Sequence, residues 1–159
     1  GLAGQERDAH VAAHRYDLAS ARCLQELIDG SVTGLGVETN TIAQLAGDVW
    51  PYHRARADAY GLKLLMYEGG SHVVGMGAEV DDEALSAFFQ HFSYTPEMAA
   101  AYAHALRAWD ALGGETGPFM QFVDVSRSTK WGSWGGLRHL RDANPRWTLL
   151  RRYNAGGPI

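Results

Sequence analysis

Cysteine is nearly absent from this chain, and the single Cys23 excludes both an internal disulfide framework and, within one chain, a thiolate-rich zinc site. Long apolar runs are missing as well. The longest fall far short of the roughly 20 residues a membrane-spanning helix requires, so no transmembrane segment is expected. No lysine or arginine block breaks the interspersed charges, and the formal net charge is −4, which argues against nucleic acid and anionic membrane surfaces as partners. Neither a solenoid-period repeat nor a low-complexity tract occurs. The opening residues place Glu6, Arg7 and Asp8 where a secretory h-region would be apolar, so the sequence reads as a chain lacking its natural beginning. What remains is 159 residues, 46% of them hydrophobic, enough to bury the core of one domain.

The centre of the chain is Gly61 to Gly75, GLKLLMYEGGSHVVG. Leu62, Leu64, Leu65, Met66 and Tyr67 form a nearly continuous apolar run, as in strands covered on both faces, and a strand is expected over 63–68. Glu68 closes it, and Gly69-Gly70 permit a sharp turn. A charged residue at the C-terminal end of such a strand sits where open α/β sheets and (β/α)8 barrels keep their active sites.

Around this strand the pattern is mostly helical. Residues 1–15 suggest a frayed helix or nothing fixed. Leu18, Ala21, Leu24, Leu27 and Ile28 mark an amphipathic helix over 16–28, ended by Asp29-Gly30. A glycine loop follows over 31–36. From Thr39 to Tyr60 the positions Ile42, Leu45, Val49, Tyr52, Ala55 and Ala59 mark one helical face, which Pro51 kinks or restarts. After the glycine-punctuated stretch 71–80, an aspartate at 81 or 82 caps a helix over 83–91, and Thr95-Pro96-Glu97 opens another that runs to Leu112. Pro118 precedes a second strand over 119–125, with Asp124 near its end, and the long helical crossover makes the two strands parallel neighbours. The loop 126–136, SRSTKWGSWGG, leads to a last helix or helix pair over 137–153, broken near Asn144-Pro145.

Two parallel strands cannot cover their own edges and faces, so the whole of 1–159 is expected to be a single incomplete domain with elements missing upstream; if the strands are the last two of eight, it is the C-terminal part of a (β/α)8 TIM barrel. The motifs LMYEGGSHVVG, FVDVSRSTKWGSWGGLRHL and NPRW resemble the C-terminal quarter of a family of bacterial (β/α)8-barrel proteins similar to retaining glycoside hydrolases. The resemblance covers about 38–150, with 1–37 a poorly matched helical lead-in. It implies that Glu68, at the end of strand seven, is the nucleophile, and that a tryptophan after strand eight, Trp131 or Trp134, lines a sugar subsite. The acid/base glutamate of strand four has no counterpart in these residues and falls to a missing N-terminal barrel half, so the isolated chain is expected to be inactive. The resemblance also implies a carbohydrate substrate, no cofactor, and secretion from a Gram-negative bacterium.

Each candidate also has a plainer reading. Retaining hydrolysis needs two carboxylates about 5–5.5 Å apart, and Glu68 supplies one, or else only pins its loop in a carbohydrate-binding pseudo-enzyme. Donors from Tyr67, His72 or the Gly69 and Gly70 amides would keep it ionised. Trp131 and Trp134 stack on sugar faces or pack the barrel rim. His72 orients Glu68, binds a hydroxyl, or is structural. Asp124 binds ligand or caps the loop, and Arg127 and Lys130 read as solvated charge. His10 and His14 lack an HExxH signature, so no metal is expected. Trp50, Trp109 and Trp147 read as core, and Cys23 as packed rather than reactive.

Overall fold

The computed structural model describes residues 2–34 and 40–159. Among the described residues it is an α/β structure in which seven α-helices, one of them only three residues long, flank two parallel strands. Helix α1 (Leu2–Ala13) occupies the stretch expected to be frayed, and α2 (Asp17–Asp29) follows the amphipathic period. It ends where Gly30 takes φ 70°, a left-handed cap that costs glycine nothing. The glycine loop over 31–36 is described through Gly34, and the helix start expected at Thr39 lies outside the described residues.

The next helix departs from its sequence pattern. Helix α3 (Ile42–Gln44) passes through a π-helical turn (Leu45–Val49) into α4 (Trp50–Ala59), with Pro51 in the first turn of α4. Proline crowds the turn before it and offers no N–H, and the widened turn accommodates both defects. One added residue rotates everything downstream by about 100°. Trp50 and Arg54 are therefore buried, whereas Tyr52, Ala55 and Ala59, which an uninterrupted period points inward, are exposed.

Strand β1 (Leu64–Gly69) pairs in parallel with β2 (Thr116–Gln121) across a crossover made of α5 (Glu83–Phe92) and α6 (Pro96–Ala111). Asp82 and Thr95 cap these two helices by accepting from the backbone N–H of Leu85 and Met98. The second strand thus begins earlier than the expected 119–125. Pro118 is inside it, not before it: β2 spends three residues from Thr116 to Phe119 while β1 spends two from Leu64 to Met66. A proline without an N–H fits such an irregular step. Asp124 consequently lies beyond the strand. The last helix is also shorter than the expected 137–153. Only α7 (Pro145–Asn154) forms, because Leu137 pairs with Val125 in an isolated parallel bridge and the Arg138 amide closes a turn onto Asp142.

Helix α6 is the centre of the core. Its Met98, Ala101, Tyr102 and Leu106 pack with Phe92 and Leu150, and Phe92, Met98 and Leu106 are at most 1% exposed. Trp109 meets Trp50 edge-on at 5.6 Å and donates to the Gly117 carbonyl, while Trp147 packs half-buried against the same cluster. Cys23 also packs there, and burial pushes its thiol up to about 11, so it stays protonated near neutral pH. At the starts of the strands the buried Arg54 donates to the carbonyls of Leu62 and Glu115 and pairs with Asp58, tying β1 to β2.

Among the described residues, only one face of the sheet is covered. Met66 and Phe119 turn towards the helices, and Leu65, Tyr67, Met120 and Phe122 are exposed, Tyr67 at 76%. Burial on both faces, expected from the apolar run, is thus met on one face. No helix among the described residues is long and apolar enough to cross a membrane.

Candidate functional site

The candidate site gathers where the two strands end. Between Met66 and Gly69 strand β1 spends three residues against two on β2, from Phe119 to Gln121, so Tyr67 and Glu68 together oppose Met120. Such a bulge breaks the period-two alternation and re-aims side chains. Glu68, which strict alternation would send to the helix side with Met66, is exposed like Tyr67.

The two glycines after Glu68 are required by what lies against them. A Cβ on Gly69 would come within 2.2 Å of the Phe119 ring. Gly70 has φ 139° and would press a Cβ to 2.9 Å from the Tyr102 hydroxyl, which accepts a hydrogen bond from the Ser71 amide. The chain turns over the end of α6 and leaves Glu68 on the lip of a cleft of about 380 Å³, walled by Met66, Met98, Tyr102 and Phe119.

An aromatic row continues from this point. His72 donates from Nε2 to the Trp131 carbonyl at 3.0 Å, and its ring lies 5.5 Å from that of Trp134. Trp134 in turn meets Phe122 at 6.1 Å. The Phe122 amide donates to the Gly69 carbonyl, which sets Phe122 directly beside the residue that follows Glu68. Trp131 is 57% exposed, with the Lys130 ammonium 4.7 Å above its ring and Lys130 paired to Asp81. Gly132 leaves room for Trp134, since a Cβ there would lie 2.5 Å from the indole.

The structure therefore brings Glu68, His72, Trp131 and Trp134 to one end of the sheet. Tyr67 belongs to the open face. Asp124 is on the loop, its backbone carbonyl accepting from Leu137. Neither His72 nor Tyr67 supports Glu68 as expected: among the described residues none donates a hydrogen bond to the Glu68 carboxylate. Phe122 joins the site unannounced, because a strand drawn over 119–125 hides it in mid-strand. The Thr116-Gly-Pro start was the signal that would have exposed it.

The loop bearing the tryptophans is held from below by the NPRW motif. Asn144 caps α7 by accepting from the Trp147 amide and donates to the Gly136 carbonyl. Arg146, fully buried, donates to the carbonyls of Ser133 and Gly135, and its guanidinium lies 4.7 Å from the Tyr94 ring and 5.5 Å from that of Tyr102. Tyr94 donates to Gly135 as well and accepts from Ser128. NPRW and KWGSWGG thus work as two halves of one substructure.

Beside them Arg138 forks onto Asp142, Nη2 to Oδ1 at 2.6 Å and Nε to Oδ2 at 2.9 Å. The hydrogen bonds from Arg138 hold the Asp142 carboxyl well below the usual carboxylate range against a burial effect that opposes them. A depressed folded-state pKa contributes stability above the unfolded value of about 3.9 and loses it as pH falls below that towards the folded value. The urea midpoint should accordingly drop more steeply below about pH 4 in the native chain than in Asp142→Asn; parallel pH profiles would contradict this coupling.

No group of three or more His, Cys, Asp or Glu side chains among the described residues is arranged to hold a metal ion. His14 pairs with Asp17 at 2.6 Å on the surface, its ring 4.4 Å from that of His10 and tilted to it. Comparison with known protein families, characterised proteins and solved structures returns no match.

Proposed function

We propose that this chain is the part of a glycoside hydrolase-like barrel that carries the nucleophile, Glu68, and an aromatic sugar subsite made by Trp134 with Phe122 and Trp131. The observation that supports this most is Glu68 standing exposed at the end of the strand, on the lip of the cleft and close to a row of half-exposed rings. A nucleophilic carboxylate must project freely into the space where the anomeric carbon arrives, and flat rings match the C–H faces of pyranosides. The open face of β1 and β2, with Leu65, Tyr67, Met120 and Phe122, has the composition of an interior that further strands would cover. On this reading the acid/base carboxylate comes from outside these residues, the substrate is a poly- or oligosaccharide, no cofactor takes part, and the protein is secreted.

A carbohydrate-binding pseudo-enzyme is the second reading, and the lack of a hydrogen-bond donor on the Glu68 carboxylate among the described residues favours it. Assaying the complete polypeptide against aryl glycosides and polysaccharides separates the two. Turnover of at least one glycoside is the expected result, with Trp134→Ala raising KM by about tenfold, the loss of one ring-stacking contact. Glycan binding without any hydrolysis leaves the second reading, and neither binding nor hydrolysis removes both.

A further inference from the structure

Away from Glu68, the far side of the tryptophan loop gathers positive charge against the sign of the whole chain. Two adjoining surface grooves of about 540 and 520 Å³ share Arg127, Arg138 and His139 as walls; His91 of α5 completes the first and Arg141 the second. Among the described residues no acidic side chain lines either groove. Asp142, the one carboxylate engaged there, is 3% exposed and already taken by Arg138.

The side chains lining the grooves differ in how they are held. Arg138 is fixed, forked onto Asp142 and stacked 4.6 Å from Tyr94, so its outer edge is presented in a defined direction. Arg127, His139 and Arg141 have no side-chain partner among the described residues, although the chain carries four more acidic than basic groups. Like charges grouped without counter-charges repel one another, and an anion placed among them relieves that repulsion. Guanidinium groups pair with carboxylate or sulfate through two parallel N–H donors. The shallow, elongated pair of grooves suits a succession of such groups along a chain better than one enclosed small molecule.

We propose that this groove pair binds an acidic glycan through its carboxylate or sulfate groups, with Arg127 and Arg141 as the principal contacts and Arg138 as the fixed one. The anion site follows from the cluster itself; a glycan as the carrier of the charge rests on the reading of the Glu68 site given above.

The test is calorimetric titration of the protein with four oligomers of matched length: oligogalacturonate, sulfated dextran, neutral dextran and a single-stranded oligonucleotide. Oligogalacturonate or sulfated dextran should bind, weakening as salt rises, and neutral dextran should bind at least tenfold more weakly. Which acidic oligomer binds tighter identifies the charged group. Arg127→Ala with Arg141→Ala should lower that affinity by about tenfold or more, the equivalent of one lost charge-assisted hydrogen bond, with an unchanged circular dichroism spectrum. Arg22→Ala with Lys63→Ala, which removes two exposed cations elsewhere, should leave it unchanged. Equal loss in both double variants, equal binding of neutral dextran, or an oligonucleotide bound as tightly as the glycans overturns the proposal. Acidic oligomers bound alike by the native chain and Glu68→Gln, with no glycoside cleaved, would retain this site and remove the hydrolase reading. Cleavage of a neutral glycoside with no acidic oligomer bound would do the reverse.

Discussion

Glu68→Gln should reduce kcat on any glycoside the complete protein cleaves by three or more orders of magnitude, roughly the cost of removing a covalent nucleophile from an otherwise intact site. Glutamine keeps the shape and loses the charge. Since no hydrogen bond among the described residues depends on the Glu68 carboxylate, the substitution has little structural reason to disturb the fold, and thermal midpoints of the two proteins should agree closely. Substrate affinity should also survive, because the stacking surface comes from Trp134, Trp131 and Phe122. The diagnostic is therefore a kcat collapse with KM or Kd within a few-fold of native. A loss of less than tenfold would exclude Glu68 as nucleophile. Equal losses in affinity and turnover would instead make it a binding residue.

The geometry also says where such an experiment should not be aimed. His72 gives its Nε2 proton to the Trp131 carbonyl and packs on Trp134, so a His72 substitution acts first on the position of the rings. Gly69 and Gly70 are equally unsuitable, since each added Cβ collides with Phe119 or Tyr102.

How much of this was legible in the sequence depends on whether the determinant was local. Glu68 and the glycine pair could be read directly, because an apolar run, a carboxylate and a double glycine are contiguous. The helix caps at Asp82, Thr95 and Gly30 were readable for the same reason. The bulge at Tyr67-Glu68 was not, since it exists only in the register of β1 against a strand some fifty residues away. The inward face of 42–59 was misread because the π-turn ahead of Pro51 inserts one residue into the period, and neither Tyr52 nor Arg54 betrays that by type. Arg127 is exposed, as a solvated charge should be, but its grouping with Arg138 and His139 could not be read, because they arrive only through the Val125 to Leu137 bridge. Asn144-Pro145 could be read as a break in the last helical stretch, but nothing in NPRW hinted that its arginine turns inward.

That arginine carries the second large effect: Arg146→Ala should destabilise the protein by about 3–5 kcal/mol, the range expected when a buried, multiply bonded cation is deleted. Its guanidinium is fully buried; the two Nη groups donate to the carbonyls of Ser133 and Gly135, the plane lies against Tyr94 and Tyr102, and Nε is left without a partner among the described residues. Alanine would leave the Ser133 carbonyl unpaired, the Gly135 carbonyl with Tyr94 alone, and a cavity the size of the side chain. For a domain of this length the loss corresponds to a fall in Tm of roughly 6–20 °C. Arg146→Lys should recover little, since an ammonium is a point charge and cannot span two carbonyls while lying flat against a ring. Because the bonds reach into the loop between Trp131 and Trp134, the near-ultraviolet signal of the tryptophans should decay at lower temperature than the far-ultraviolet helix signal in both variants. A Tm within 2 °C of native in Arg146→Ala would show that the loop is held by its other contacts, those of Asn144 and Tyr94, and that the buried cation adds nothing to them.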